Sequence, residues 1–573
     1  MTQTAAIFEG AREPALLEWN FANLLDAQAE RYGENVAISS LHQGQRWTYA
    51  QVRAEVRKLA SRLVDIGIKP GDRIILLAGN GIEFIQVFFA AAAIGAVAVL
   101  AGRTFSVAEF QDTVTALRPR CIFIAKKIGF HNNTEVLRQI ANDFKDGPIV
   151  VLGGAHSGLD HCVTFEGFLA GSTTQDSGTT VGSSKALDEL WDKSGPTEPC
   201  CFQFTSGTTG ARKTSMLSHR NLINNANFVG RQLRLSACDK LCCCPPLSHC
   251  FGLVCGLLAI YLHGGALVIP SEIFSSAASL VALREEGCTV AHGVPSMFEA
   301  LVDQERERQA AESGASPCDY KLRTGIIAGS TPPRDLLQDI QRYFGLERLL
   351  YPFGMTELSA VCICTSLDDS LIADNTSVGR VMPHTSVKVV DENGDTLPPE
   401  SPGELCVSGY LVHLGYFRNE AKTQEALHVD SCGRQWLRTG DLAVLEQTGR
   451  CKIIGRSKDM IKKHGENIVP KDIEELLLAH ASVAHAAVVG IPHPRHGESV
   501  VAFVQLTEQN GVFDERELKT WLRQQKLAPH KMPDYFLSVG KARNGLSEIP
   551  VNSSGKVLKS ELRSFAVEAL QAR

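Results

Sequence analysis

The segment Thr205–Lys213, TSGTTGARK, places two glycines, four hydroxyl side chains, an arginine and a lysine in nine positions. Small residues with free N–H groups and hydroxyls let a loop close around a polyanion, and a lysine supplies the matching charge. The apolar run Cys201–Phe204 leads into it. The spacing approaches G-x-x-x-x-G-K-[ST], with Gly207, Lys213 and Thr214 in frame, but Arg212 occupies the place of the second glycine. The triphosphate-loop pattern therefore fails, and taken alone the nine residues read equally well as a flexible Ser/Thr/Gly surface loop.

Further blocks follow in a fixed order: Tyr351-Pro-Phe-Gly-Met-Thr-Glu357, Trp436-Leu-Arg-Thr-Gly-Asp441, Gly455-Arg-Ser-Lys-Asp-Met-Ile461 with Gly465-Glu-Asn-Ile468, and Asn552-Ser-Ser-Gly-Lys556. Together with the first loop they resemble the core motifs of the adenylate-forming (ANL) superfamily, over roughly residues 20 to 570. Within it the chain is most similar to the medium-chain fatty acyl-CoA synthetases, through Ile327-Ala-Gly-Ser330, Val378-Gly-Arg-Val-Met-Pro-His384 and Gly403-Glu-Leu-Cys-Val-Ser-Gly409. The resemblance implies ATP, Mg²⁺ and coenzyme A as cofactor and co-substrates, and a carboxylic acid activated through an acyl-adenylate.

Acyl adenylation is an electrostatic problem, because a carboxylate must attack the α-phosphorus of ATP although both are anions. A site for it needs positive charge and in-line positioning. Lys213 with Thr205, Ser206, Thr208 and Thr209 suits the β- and γ-phosphates, and Gly207 and Gly210 allow backbone approach. The usual proline is replaced by Arg212 and the usual glycine after the lysine by Thr214, so Arg212 is a possible extra phosphate contact.

By resemblance, Glu357 is the metal ligand, since Mg²⁺ takes one or two carboxylates plus phosphate oxygens. Thr356 faces the α-phosphate, and Gly329, Ser330, Tyr351 and Gly354 complete the nucleotide site. Asp441 takes the ribose hydroxyls, reinforced by Arg456. Lys556 is the catalytic lysine, and Lys458 marks the hinge of a rotating C-terminal domain. Gly465, Glu466 and Arg495 belong to the CoA side. His249, in Pro245-Pro-Leu-Ser-His249, resembles a gate between acyl pocket and thiol tunnel, with a satisfied core histidine as the alternative. Phe251, Gly252 and Gly293 belong to the acyl pocket, whose walls are expected from residues 251–257, 293–295 and 328–331. These are small and apolar, with no aspartate after His249, which disfavours an amino acid as the substrate.

The reading is an ATP-dependent acyl-CoA ligase for an apolar acid, medium-chain fatty or related. The alternative is an acyl-AMP ligase loading a separate acyl-carrier protein. A luciferase-like oxygenase and a non-catalytic binding protein are further readings, the last opposed by the intact Lys213, Glu357, Asp441, Arg456 and Lys556.

Composition agrees with a soluble enzyme: 573 residues exceed one ordinary core, and the formal net charge of −6 argues against broad nucleic-acid binding. The 17 cysteines are scattered apart from Cys242-Cys243-Cys244 near Cys238 and Cys250, with no second ligand pair at zinc spacing. Buried free thiols on a strand are expected, in a reducing compartment. The N-terminus lacks signal or transit character, and the C-terminus lacks an S-K-L address, so the cytoplasm is expected. The longest apolar run, Val87–Ala101, is too short to span a membrane and reads as a buried helix entering a strand.

The elements that must position these residues read as α/β. Thr48-Tyr-Ala-Gln51 is a capping box, and Val52, Val56, Leu59 and Leu63 recur at helical spacing. Gly67 ends that helix, and Pro70-Gly-Asp72 turns into a strand over Arg73–Leu77, followed by a helix from Ile82. Strands are expected again at 121–125, 149–152, 266–269 and 289–290, giving parallel sheets covered on both faces. Residues 171–184 are a low-complexity loop. From about Val387 short strands and turns indicate a smaller β-rich subdomain. The expected division is a large N-terminal domain, 1–457, and a small mobile α+β C-terminal domain, 458–573, with a helix at 470–480 and a strand at 486–489.

Overall fold

In the computed structural model the helix predicted after Thr48 runs over Tyr49–Asp65, and its capping box is formed in both directions with Gln51. Val52, Val56, Leu59 and Leu63 are fully buried, as the 3.6-residue period requires. The strand Arg73–Leu77, the helix Ile82–Ala93 and the strand Val97–Leu100 follow, so the long apolar run does divide into helix and strand. The structure describes residues 6–103, 105–153, 159, 162–171, 184–205, 212–311, 320–464, 466–507, 513–540, 546–551 and 557–571. Most of the predicted low-complexity loop lies outside them.

The chain forms two compact units: Phe8–Val387 with Val407–Leu437, and Met1–Ile7 with Lys388–Cys406 and Arg438–Arg573. The strands Thr385–Val390, Pro402–Gly409 and Gln435–Leu445 each begin in one unit and end in the other. No linker-like composition marks these crossings.

The larger unit contains two sheets of seven described strands each. In the first, strands at 162–164, 149–152, 121–125, 73–77, 97–100 and 199–205 lie parallel, and Lys213–Ser218 closes the edge antiparallel to Pro199–Thr205. In the second, strands at 349–350, 324–327, 290–293, 240–243, 266–269 and 36–40 are parallel, with Gln45–Thr48 as an antiparallel edge. Helices and inner strand residues share one apolar core that reaches from Phe21 to Met382. Continuous apolar strands such as Cys121–Ala125 are buried throughout, the pattern of a sheet covered on both faces.

In the smaller unit, residues 461–539 build a five-stranded sheet around the hairpin of Val483–His493 and Gly497–Leu506. Its two faces carry separate cores. Val488, Val500, Ala502 and Val504 face Ile473, Leu477, Leu518 and Leu522, while Val489, Val501 and Phe503 face Leu562 and Ala566. The alternation follows the period of two along each strand. The helix Pro470–Leu478 starts on proline as the sequence indicates, and the following strand is longer than its apolar stretch, since pairing continues to His493. Among the described residues no helix is long and apolar enough to cross a membrane. Cys242, Cys243 and Cys244 are buried free thiols.

Candidate functional site

The Thr205–Lys213 segment joins the two strands of an edge hairpin, with Thr205 and Lys213 as the last cross-strand pair. Ser206, Gly207, Thr208, Thr209 and Gly210 lie outside the described residues. A strand follows this loop, not a helix, so no helix N-terminus stands at its end. The cationic side chains of the segment are Arg212 and Lys213. Arg212 is held on the helix Val107–Leu117: its guanidinium reaches Glu109 at 2.9 Å and lies 4.3 Å from the Phe105 ring centroid. Glu109 also accepts the Ser106 N–H of that helix's capping box; against the desolvation that raises it, this N–H and then the arginine hold its carboxyl below the ordinary range.

The edge strand is covered by residues 414–417. Leu414 N–H donates to Met216 O at 2.9 Å, Met216 N–H to Gly415 O at 3.0 Å, and Phe417 N–H to Thr214 O at 2.9 Å. This pairing puts the Lys213 ammonium 4.8 Å from the Tyr416 ring centroid. The Tyr416 hydroxyl donates to Glu357 Oε1 at 2.9 Å, so Lys213 and Glu357 meet on one tyrosine.

Glu357 sits in a single 3₁₀ turn, Thr356–Leu358, with Thr356 and Glu357 both buried. The turn is tightly specified. A Cβ on Gly354 would lie 1.7 Å from the Ala360 carbonyl oxygen, so no larger residue fits there. Ser359, at φ 58°, donates its hydroxyl to Leu411 O at 2.7 Å, and His413 N–H donates to Glu357 O at 2.9 Å. Tyr351 leaves the strand Leu349–Leu350, takes its N–H to Thr365 Oγ1 at 2.8 Å and bonds Thr331 through its hydroxyl at 3.1 Å. Gly329 and Ser330, just before Thr331, are exposed.

His249 lies at the start of an eight-residue π-helix, Phe251–Leu258, which is wholly buried. The wide i→i+5 turn is a feature found often at functional sites. His249 Nδ1 accepts the Phe251 N–H at 3.2 Å, which leaves the proton of a neutral ring on Nε2. The segment before it is clamped by Asn80, which donates to Pro245 O at 3.1 Å and accepts from Leu247 N–H at 2.8 Å. Gly252 approaches Pro246 O so closely that a Cβ would lie 2.2 Å from it. The expected pocket segments do converge. The Phe251 ring stacks on His292 at 6.0 Å, and Val294 lies 3.2 Å from where a Cβ on Gly329 would stand. His292 accepts Ile326 N–H at Nδ1 and donates from Nε2 to Cys255 O at 3.0 Å; burial pushes it down to about 4, so it is neutral.

In the smaller unit Asp441 is buried and pairs with Arg456 at 3.3 Å, directly opposite it in the strand ladder. The sequence reads Thr439-Gly-Asp441 as a turn, but it lies within the strand Gln435–Leu445, and Glu404 shapes this stretch. Its carboxylate accepts Arg438 Nε at 2.7 Å and Gly440 N–H at 3.0 Å, while Thr439 donates to Leu405 O at 2.8 Å. Lys458 lies in the short 3₁₀ turn Ser457–Asp459. The exposed Glu466 begins the strand paired with Ile461–Lys463, and Lys463 pairs in turn with Gly497, which brings Glu466 and the exposed Arg495 onto neighbouring strands and turns. Gly465 and Lys556 lie outside the described residues.

Tyr416, His413, Asn80 and Glu404 were not singled out from sequence. Tyr416 acts on Glu357 from 59 positions away, and nothing local to either marks the pair. Glu404 carried a signal, since it sits in one of the resembling motifs.

Lys213 and Glu357 are joined through Tyr416 in the larger unit and Asp441 is paired with Arg456 in the smaller one, in a chain whose class is that of the adenylate-forming enzymes. The chain belongs to the AMP-binding enzyme family, whose model matches residues 25–417, with the AMP-binding enzyme C-terminal domain matching 472–556. It is 39% identical to acyl-CoA ligase sidI of Aspergillus fumigatus, over 100% of this chain and 95% of that protein. It is 31% identical to the human mitochondrial medium-chain acyl-CoA ligase ACSF2, over 97% and 89% respectively. Among solved structures it resembles ATP-bound MatB from Rhodopseudomonas palustris, with a TM-score of 0.79 and 25% identity over 95% of this chain and 99% of that one.

Proposed function

We propose that this chain is an ATP-dependent, AMP-forming acyl-CoA ligase for an apolar carboxylic acid of the medium-chain fatty or related class. The observation that carries the reading is the junction of Lys213, Tyr416 and Glu357 beside the phosphate loop, in a chain aligned along its whole length with acyl-CoA ligases.

In the first half-reaction a carboxylate oxygen attacks the α-phosphorus, the bond to the bridging oxygen breaks, and pyrophosphate leaves. Lys213 and the hydroxyls of Thr205, Ser206, Thr208 and Thr209 hold the β- and γ-phosphates. Thr356 holds the α-phosphate, and Gly329, Ser330, Tyr351 and Gly354 the base side of the nucleotide. Asp441 accepts the ribose hydroxyls with Arg456 beside it, and Lys556 stabilises charge at phosphorus. The donor set at Glu357 fits Mg²⁺: a buried carboxylate oxygen, fixed by a hydroxyl donor, is the hard ligand this ion takes. A magnesium ion there would neutralise phosphate charge.

In the second half-reaction the CoA sulfur attacks the acyl carbon, the bond to AMP breaks, and the thiol proton passes to solvent. Residues 458–573 rotate about Lys458, which withdraws Lys556 and brings Gly465 and Glu466 to the acyl-adenylate, with Arg495 toward the CoA phosphates. His249 gates the acyl pocket formed with Phe251, Gly252 and Gly293. Buried free thiols support a reducing compartment, the cytoplasm. The test is product analysis with a panel of acids from acetate to long-chain, offered free CoA or an acyl-carrier protein. The reading expects AMP, pyrophosphate and acyl-CoA, with the best turnover at medium chain length. ADP as product overturns it, and thioester on the carrier alone overturns CoA as acceptor.

A further inference from the structure

Tyr416 is immobilised from every side. Its N–H donates to Thr423 Oγ1 at 2.9 Å, its ring takes the edge of His413 at 4.9 Å, and its backbone pairs with Ser215 on the edge strand. His413 is itself fixed, by Ser215 Oγ at 2.9 Å on Nδ1 and by its N–H on Glu357 O. A phenol held this way has no rotamer search left to make, so its two ends are preorganised. The hydroxyl end donates to a buried carboxylate, a charge-assisted bond that fixes which way the second carboxylate oxygen faces. The flat end meets an ammonium, which the electron-rich ring face attracts.

We infer that Tyr416 is a positioning residue for adenylate formation: its hydroxyl fixes the Glu357 carboxylate as a metal ligand, and its ring holds the Lys213 ammonium at the phosphate loop. One side chain thereby ties the metal to the triphosphate, so that the ligand recognised is the metal–nucleotide complex as a unit. The inference rests on the proposed metal role of Glu357.

The two ends separate by substitution. Tyr416→Phe keeps the ring over Lys213 and removes the hydroxyl, whereas Tyr416→Leu removes both. Mn²⁺ binding is read from the free-ion electron paramagnetic resonance signal in the presence of a non-hydrolysable ATP analogue. Binding of the analogue without metal is read by calorimetry. Partners that orient a metal ligand are typically worth about tenfold to a hundredfold in metal affinity. Tyr416→Phe should therefore weaken Mn²⁺ by about that factor and leave metal-free nucleotide affinity within about twofold. Tyr416→Leu should weaken Mn²⁺ equally and also cost about two- to fivefold in metal-free nucleotide affinity, the range of an exposed cation–π contact. Glu357→Gln should weaken Mn²⁺ at least as much as Tyr416→Phe.

If Glu357→Gln weakens Mn²⁺ and Tyr416→Phe does not, the role of Tyr416 is overturned and that of Glu357 stands. If Glu357→Gln leaves Mn²⁺ affinity unchanged, the metal assignment falls and this inference with it. Equal losses of metal and metal-free nucleotide binding in Tyr416→Phe would reduce the tyrosine to a packing residue and overturn the inference as well.

Discussion

Replacing Glu404 by alanine removes a carboxylate that shapes residues 438–441 of the strand Gln435–Leu445 without being assigned any contact to substrate. Two interactions are lost: the Gly440 N–H bond at 3.0 Å and the pair with Arg438, whose Nε stands at 2.7 Å. The amide left without its acceptor costs about 1 kcal/mol. The arginine side chain is 32% exposed, so solvent screening limits the pair to about 0.5–1 kcal/mol. If the whole loss reaches the orientation of Asp441, ribose binding weakens by at most about 2 kcal/mol, or about thirtyfold. Ribose contacts are equal in the ground and transition states, so the loss belongs in KM for ATP and not in kcat. The assay is ATP-dependent pyrophosphate exchange, with thermal melting to establish that the variant is folded. An ATP KM within twofold of the parent, or a fall in kcat at constant KM, would refute the link from Glu404 through Gly440 to Asp441.

Acid should destabilise the fold through buried neutral histidines. Burial pushes His292 down to about 4 and His219 to about 3, so the unfolded chain, with ordinary values near 6.5, binds more protons. Stability from these rings is complete above about pH 6.5 and is lost as pH falls toward 4, on the order of 3 kcal/mol for His292. Denaturant midpoints at pH 7 and 4.5 check this, and His292→Gln should flatten the difference. Lys556→Ala should lower acyl-adenylate formation by about a hundred- to a thousandfold while sparing thioester formation from supplied acyl-adenylate. Lys458→Pro should spare the first step and impair the second, because proline removes the backbone freedom a hinge uses; rapid-quench measurement of each half-reaction separates the two.

Legibility in the sequence followed the range of the physics. Helix starts with local logic, such as Thr48–Gln51, and strands with continuous apolar runs, such as Cys121–Ala125, were readable because the determinants are adjacent. The motif loops were readable because each carries its own composition. The π-helix Phe251–Leu258 was not, since an all-apolar segment has no periodicity to distinguish i→i+4 from i→i+5. The strand expected at 289–290 runs over Val290–Gly293, and the His292 ring within it is accommodated by two backbone bonds that only the fold supplies. Tyr416 was invisible for the same reason, and Glu404, although it sits inside a resembling motif, gave no sign of its partners. Their meaning lies in partners that the topology brings together.

The central claim is that the acid is activated through a bond between its own oxygen and the α-phosphorus of ATP. A carboxylic acid carrying oxygen-18 in both carboxylate positions tests it directly, with ATP and CoA present and the released AMP read by mass spectrometry. Attack of the carboxylate on phosphorus, followed by thiol attack on the acyl carbon, leaves one labelled oxygen on each AMP and none in pyrophosphate. Unlabelled AMP, or label recovered in orthophosphate beside ADP, would contradict the acyl-adenylate route.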